Sequence, residues 1–211
     1  MIKASLLAII ILSLIPAIVF ARDNGGKLIL RKKFTTFTAS FESDYRHGED
    51  GALHRRHYDF GIKIPFLDSW SASINYRSIY KYASKHNKWR LEKRPHISLQ
   101  KDFDTKFIKV QLRTRQEYRY RANDTESSRN RTRIMLKSNK TIFQLKPFIG
   151  NEIFYDTDAK IYNKNWLVGG VELPKSKFGK YSIYYVHIDN LGDDNVWTSD
   201  YRLALKAIYE F

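Results

Sequence analysis

From residue 33 to its end the chain changes character at every second position. In the last eleven residues Tyr201, Leu203, Leu205, Ala207, Tyr209 and Phe211 fall on one side, and Arg202, Ala204, Lys206, Ile208 and Glu210 on the other. That is the two-residue period of a strand with one apolar face. Nine earlier segments repeat it. Residues 33–45 set Phe37, Ala39, Phe41 and Tyr45 against Thr36, Thr38, Ser40, Glu42 and Asp44, and residues 54–64 turn Tyr58, Phe60, Ile62 and Ile64 to one side. Residues 70–82 oppose Trp70, Ala72, Ile74, Tyr76, Tyr80 and Tyr82 to Ser71, Ser73, Asn75 and Arg77. Residues 89–101 oppose Trp89, Leu91, Ile97 and Leu99 to Arg90, Glu92, Arg94, His96, Ser98 and Gln100. Residues 107–121 carry Ile108, Val110, Leu112, Tyr118 and Tyr120 opposite Lys109, Gln111, Arg113, Arg115, Glu117, Arg119 and Arg121. Segments 129–137, 142–155, 165–173 and 180–189 complete the set, with faces blurred at Gly169-Gly170 and Tyr184-Tyr185-Val186.

The connectors between these segments alternate in length. Residues 65–69, 102–106, 138–141 and 174–179 are short, whereas 46–53, 83–88, 122–128, 156–164 and 190–199 are mostly longer. Outer-membrane barrels have short periplasmic turns and longer outer loops, and their strands cross in about 9 to 11 residues. The pattern therefore predicts an all-β chain: a transmembrane antiparallel up-and-down β-barrel of about ten strands, eight or twelve being the neighbouring solutions. Ten strands would put both termini on the periplasmic side, with residues 122–128 and 190–199 outside and Lys106 and Lys140 inside. A mean hydropathy of −0.50 does not argue against this, because a barrel exposes only alternate residues to lipid. The 13 Phe, 14 Tyr and 4 Trp suit aromatic girdles at two interfaces.

Both ends agree with export. Met1-Ile-Lys3 is a short basic start, residues 4–20 are apolar apart from interruptions such as Ser13 and Pro16, and Val19-Phe20-Ala21 is a small-residue cleavage site. Residues 1–21 read as a secretory signal peptide, leaving 22–211 as a single barrel domain in the outer membrane of a Gram-negative cell. Tyr209 and Phe211 close the last strand on an aromatic, which resembles the C-terminal signal read by the barrel assembly machinery. Lys3 is the only charge in residues 1–21, so the mature chain keeps a formal net charge of +14 from the total of +15. There is no Cys, hence neither a disulfide framework nor a lipoprotein anchor.

Three stretches carry a family likeness. Residues 89–99 (WRLEKRPHISL), residues 113–121 (RTRQEYRYR) with 129–133 (RNRTR), and residues 146–156 (KPFIGNEIFYD) with 163–166 (NKNW) resemble the bacterial family filed as domain of unknown function 2490. The likeness spans residues 70–211; earlier residues are recognised only by their strand pattern. It implies a small outer-membrane barrel and no activity.

The chemistry lies on the lumenal side. If the hairpin turns near Asp124 and Thr125, Arg119 faces Arg131, Arg121 faces Arg129 and Glu117 faces Arg133. Arg113, Arg115, Arg119, Arg121, Arg129, Arg131 and Arg133 then form one basic wall, in which like charges directly opposite destabilise the sheet. The wall needs counter-charges. Glu92, Glu117 and Glu152, with Glu42, Asp44 and Asp59, are the lumenal carboxylates, and small anionic solutes are the other source. The first would give a plugged scaffold; the second, a narrow anion-preferring porin-like channel, since basic rings select anions and about ten strands leave little room. Arg55, Arg56, Lys85 and Lys88 near the outer rim could hold lipopolysaccharide phosphates. His96 and Ser98 share one face of their strand and resemble the His-x-Ser pair of barrel lipid A deacylases, with Glu92 or Glu117 to orient the imidazole. A His-x-Ser pair is common by chance, so no catalytic residue is expected, and none that binds a cofactor or a metal. Nucleic acid is not an expected partner despite a pI near 9.8, because an exported barrel does not meet it.

Overall fold

The computed structural model describes residues 23–122, 125–174, 176–192 and 194–211; the expected signal peptide, 1–21, lies outside them. The chain forms eleven strands: β1 (Asp23–Lys33), β2 (Thr38–His47), β3 (Leu53–Leu67), β4 (Trp70–Ala83), β5 (Lys88–Asp104), β6 (Ile108–Arg121), β7 (Glu126–Ser138), β8 (Lys146–Asp156), β9 (Ile161–Glu172), β10 (Lys180–Leu191) and β11 (Trp197–Glu210). They pair in chain order into a closed barrel. Every consecutive pair is antiparallel, and β1 closes the ring on β11 in parallel, from Asp23↔Arg202 to Arg31↔Glu210. Closure leaves no unpaired sheet edge. No helix among the described residues is long and apolar enough to cross a membrane, which says nothing about crossing with strands.

The barrel has one strand more than the ten read from the alternation, within the expected range of eight to twelve. β1 runs through Asp23-Asn-Gly-Gly-Lys-Leu-Ile-Leu-Arg-Lys-Lys, where alternation is weak: Ile29 is buried on the lumenal side, Asn24 lies on the other, and two glycines carry no signal. Residues 34–37 turn the chain back into β2, with Phe34 and Phe37 stacked 4.5 Å apart. An odd strand number separates the ends. Phe211 sits at the rim of the β1–β2 turn, its backbone N–H donating to the Arg31 carbonyl at 3.0 Å, whereas Asp23 lies at the opposite rim. Asp23 and Phe211 therefore lie at opposite rims.

Connector lengths also depart from expectation. Segments 48–52, 84–87, 122–125, 157–160 and 192–196 form one rim; 34–37, 68–69, 105–107, 139–145 and 173–179 form the other. The stretches expected to be long loops are shortened at their ends, because strand pairing continues into them: β5 alone runs for 17 residues. Loop length consequently does not tell the two rims apart.

Side-chain direction follows the alternation. Phe60, Ile62, Ile64, Ile74, Ile97, Leu112, Ile134, Ile149, Leu167 and Leu205 are all exposed, and they form an outer apolar belt. The blurred strands resolve too. Ser182, Val186 and Ile188 on β10 are buried inside, while Tyr185 stacks on Tyr201 outside at 5.8 Å. Gly170 makes room for the inward ring of Phe148, whose Cζ would lie 2.8 Å from an added Cβ.

Aromatic rings gather at both ends of the belt. Tyr58, Tyr80, Tyr82 and Trp89 cluster toward one rim, where Arg56 lies over Tyr80 and Trp89 at 5.2 and 4.9 Å. Trp70, Phe103 and Phe107 lie toward the other, covered by Lys101 and Lys140. These pairs place a cation over a ring face at a distance where the attraction is favourable.

Candidate functional site: the lumenal ion-pair wall

The interior has two halves. From β8 to β1 it is mostly apolar, with Phe148, Phe154, Val186, Ile188, Ala204 and Ile29 buried. From β2 to β7 it is charged. Burying such charges is tolerable only when they pair and are hydrogen-bonded, and the pairing is dense here.

Glu117 is its centre, fully buried at 0% exposure. It accepts from Arg129 Nη2 at 2.6 Å and from Arg131 Nη1 at 2.7 Å, with Arg94 Nη1 at 3.5 Å and Arg115 Nη1 at 3.7 Å. Glu152 on β8 accepts from Arg113 at 2.7 Å and from Arg131 Nη2 at 2.9 Å. Arg131 therefore bridges two carboxylates with its two terminal nitrogens, a use of the planar guanidinium fork that Lys could not reproduce. Glu92 accepts from Arg94 and Arg119, each at 2.7 Å, and from Lys81 at 3.1 Å. Arg133 donates to Gln111 Oε1 at 2.5 Å, and Arg121 to Ser127 Oγ at 2.8 Å.

Each of the seven arginines named from the sequence thus has a polar partner, Arg115 donating through Nε to Ser98 Oγ at 3.0 Å. The expected hairpin register needs correction. Arg113 lies opposite Arg133, Arg115 opposite Arg131, Glu117 opposite Arg129 and Arg119 opposite Ser127. The turn is tighter than expected, Arg121 N–H bonding to the Thr125 carbonyl at 3.0 Å, so pairs slide by four residues on one strand. Two Arg–Arg pairs remain, and Glu117 and Glu152 sit where they offset that repulsion. Phe154, 1% exposed, gives the wall a second partner: Arg129 and Arg131 lie over its ring at 4.8 and 4.6 Å.

A smaller network adjoins it on β1–β4. Asp59 accepts from Arg77 Nε and Asn75 Nδ2, both at 2.7 Å. Glu42 accepts from Lys27 and from His57 Nε2, both at 2.9 Å, and Asp44 accepts from Arg46 at 2.9 Å. Sequence reading had named these carboxylates but not Arg77, Arg46 or Lys27 as their partners. For Arg77 its inward register was the available signal; Lys27 and Arg46 lie outside the segments that the alternation marked.

His96 and Ser98 do not meet as a catalytic pair. His96 Nδ1 donates to its neighbour Arg94's carbonyl at 3.3 Å, Nε2 has no hydrogen-bond partner and is 3.7 Å from Asp59, and Ser98 Oγ is held by Arg115. Both residues are buried in the lumen. Tyr209 and Phe211 lie on the outer face, Tyr209 Oη sharing a 3.1 Å hydrogen bond with Tyr181 and Phe211 lying under the Lys32 ammonium at 5.4 Å. Of the rim cations, Arg56 lies over two rings, while Lys85 and Lys88 flank Asn87 in a short 3-10 turn and its strand start.

Among known proteins, a family model described as protein of unknown function (DUF2490) matches residues 26–197. The match reaches well before Trp70, so the first strands share in it. No curated protein matches the chain.

Proposed function

The chain belongs to the DUF2490 family, a premise that brings no activity with it, and we propose that it is a small outer-membrane β-barrel whose lumen is closed by its own ion pairs. The membrane reading rests on the outer belt. On β4 the eleven residues from Trp70 to Tyr80, ten steps along the chain, span about 33 Å of strand, or about 25 Å of height at a tilt of ~40°. That equals the usual apolar band of such barrels. The signal-like residues 1–21 and the terminal Phe211 support export and handling by the barrel assembly machinery, with the Phe211 rim periplasmic.

The observation that carries the closed lumen is the burial of Glu117 with Arg94, Arg115, Arg129 and Arg131, all under 9% exposed. Solvent scarcely reaches any of them, so a hydrated ion has no route beside them. The protein then acts as a non-conducting scaffold, and Arg56 with Lys85 and Lys88 at the far rim suits lipopolysaccharide phosphates. Chloride efflux from liposomes carrying the refolded barrel should equal that of empty liposomes; porin-like efflux would overturn the reading.

A second reading keeps one supporting observation. Lumenal cations outnumber carboxylates on β6 and β7, so a path opened by breaking the Glu117 network would prefer anions, as basic rings do. In that reading Arg113, Arg115, Arg119, Arg121, Arg129, Arg131 and Arg133 face the solute. The hydrolase reading is weaker still, because Ser98 Oγ is engaged by Arg115 rather than by His96.

A further inference from the structure

On the wall every arginine has a polar partner even where its Nε has none, but among the described residues unpaired charge also lies elsewhere in the lumen. It lies across the barrel, near the Asp23 rim. Arg202 on β11 is 5% exposed, yet its Nε and Nη1 are buried without a hydrogen-bond partner. Its one close contact of note is the Trp166 ring, 5.2 Å from Cζ. Arg55 on β3 likewise has a buried Nε with no partner. The register brings them to one side: Arg55 lies opposite Arg46, Arg46 opposite Gly25, and Gly25 opposite Ala204, one lumenal step from Arg202. Gly25 adds no side chain there. A Cβ at that position would lie 3.2 Å from the Tyr45 carbonyl and 3.8 Å from both Ala204 Cβ and Arg46 Cγ, so a side chain there would crowd Arg46, which Asp44 holds between the strands of Arg55 and Arg202.

Immediately outside is the opposite charge. An open cavity of about 560 Å³ at the rim is lined by Asp23, Glu49, Asp50 and Asp200. Asp23 is the cross-strand neighbour of Arg202, and Asp200 precedes it by one lumenal position on β11. A plain anion entering by this mouth meets carboxylates first, and a plain cation finds arginines beneath.

We propose that this mouth binds a small zwitterion, an oxyanion of the phosphate class joined by a few bonds to an ammonium group, with the oxyanion on Arg202 and Arg55 and the ammonium beside Asp23, Asp50 and Asp200. Guanidinium forks suit phosphate oxygens, and the buried, unpartnered donors of Arg202 are what such a ligand would satisfy. The inference goes beyond the closed scaffold and does not depend on it, since the site opens to one rim only.

Thermal unfolding of the full refolded barrel in detergent tests it, with O-phosphoethanolamine, inorganic phosphate and ethanolamine as probes. A ligand that binds the folded barrel raises its melting midpoint. Phosphoethanolamine should raise it most, phosphate less, and ethanolamine alone not at all. Arg202→Gln and Arg55→Gln, checked for folding by heat-modifiable mobility, should each weaken phosphoethanolamine at least tenfold. Without ligand they should melt no lower than the parent, because each removes an unpartnered buried charge. Arg119→Gln, on the ion-paired wall, should keep the affinity. A parent barrel indifferent to phosphoethanolamine overturns the proposal whether or not the variants fold. So do equal responses to phosphate and phosphoethanolamine, and unchanged affinity in both arginine variants. Displacement of the soluble probe by bicelles containing phosphatidylethanolamine supports a lipid headgroup as the natural source, and its absence supports a free solute.

Discussion

Glu117 concentrates the chemistry of the lumen in one carboxylate. Four guanidinium groups lie within 3.7 Å of it, and removing one partner of a buried ion pair costs about 3 to 5 kcal/mol because the remaining charge stays unpaired. Glu117→Gln keeps the shape and removes the charge, so it should lower the urea unfolding free energy by at least that amount, whereas Glu210→Gln, on an exposed pair, should change it by less than about 1 kcal/mol. Equal effects of the two would refute a central role for Glu117. Ser98→Ala removes only the 3.0 Å acceptor of Arg115. It should leave acyl release from lipid A at background in both proteins, and a parent activity that this variant abolishes would restore the hydrolase.

At the scale of strands, ten of eleven were legible because polar and apolar residues alternate along them, as over the eight positions from Trp70 to Arg77, with the faces blurred only in 165–173 and 180–189. β1 was not, since Ile29 faces inward and Gly25-Gly26 erase the period. Register was the second blind spot. Inward facing is set by parity and could be read for every arginine of the wall, but the turn at residues 122–125 decides which of them meet, and its composition allowed several centres. Arg202 was visible as an inward cation and Arg55 only as a rim cation, and nothing local in sequence shows that neither is hydrogen-bonded by a carboxylate. The eleventh strand makes a topological prediction: with Phe211 periplasmic, an epitope inserted between Ala21 and Asp23 should be reached by antibody on intact cells. Detection only after outer-membrane permeabilisation would mean that β1 does not close the barrel as described. Deleting Phe211, which caps β11 through its bond to Arg31, should lower the heat-modifiable folded fraction; an unchanged fraction would count against the signal reading.

For the molecule as a whole, an apolar half-lumen and a charged half-lumen meet around Phe154. In the proposed reading the outer belt with aromatic rows at both rims faces lipid, and the inner network closes the lumen. The most direct test is planar-bilayer recording of the purified barrel in a salt gradient. The wild type should give no conductance steps, and Glu117→Ala should give steps whose reversal potential marks anion selectivity, because breaking the network frees Arg129 and Arg131. Steady steps from the wild type, of either selectivity, would contradict the closed lumen.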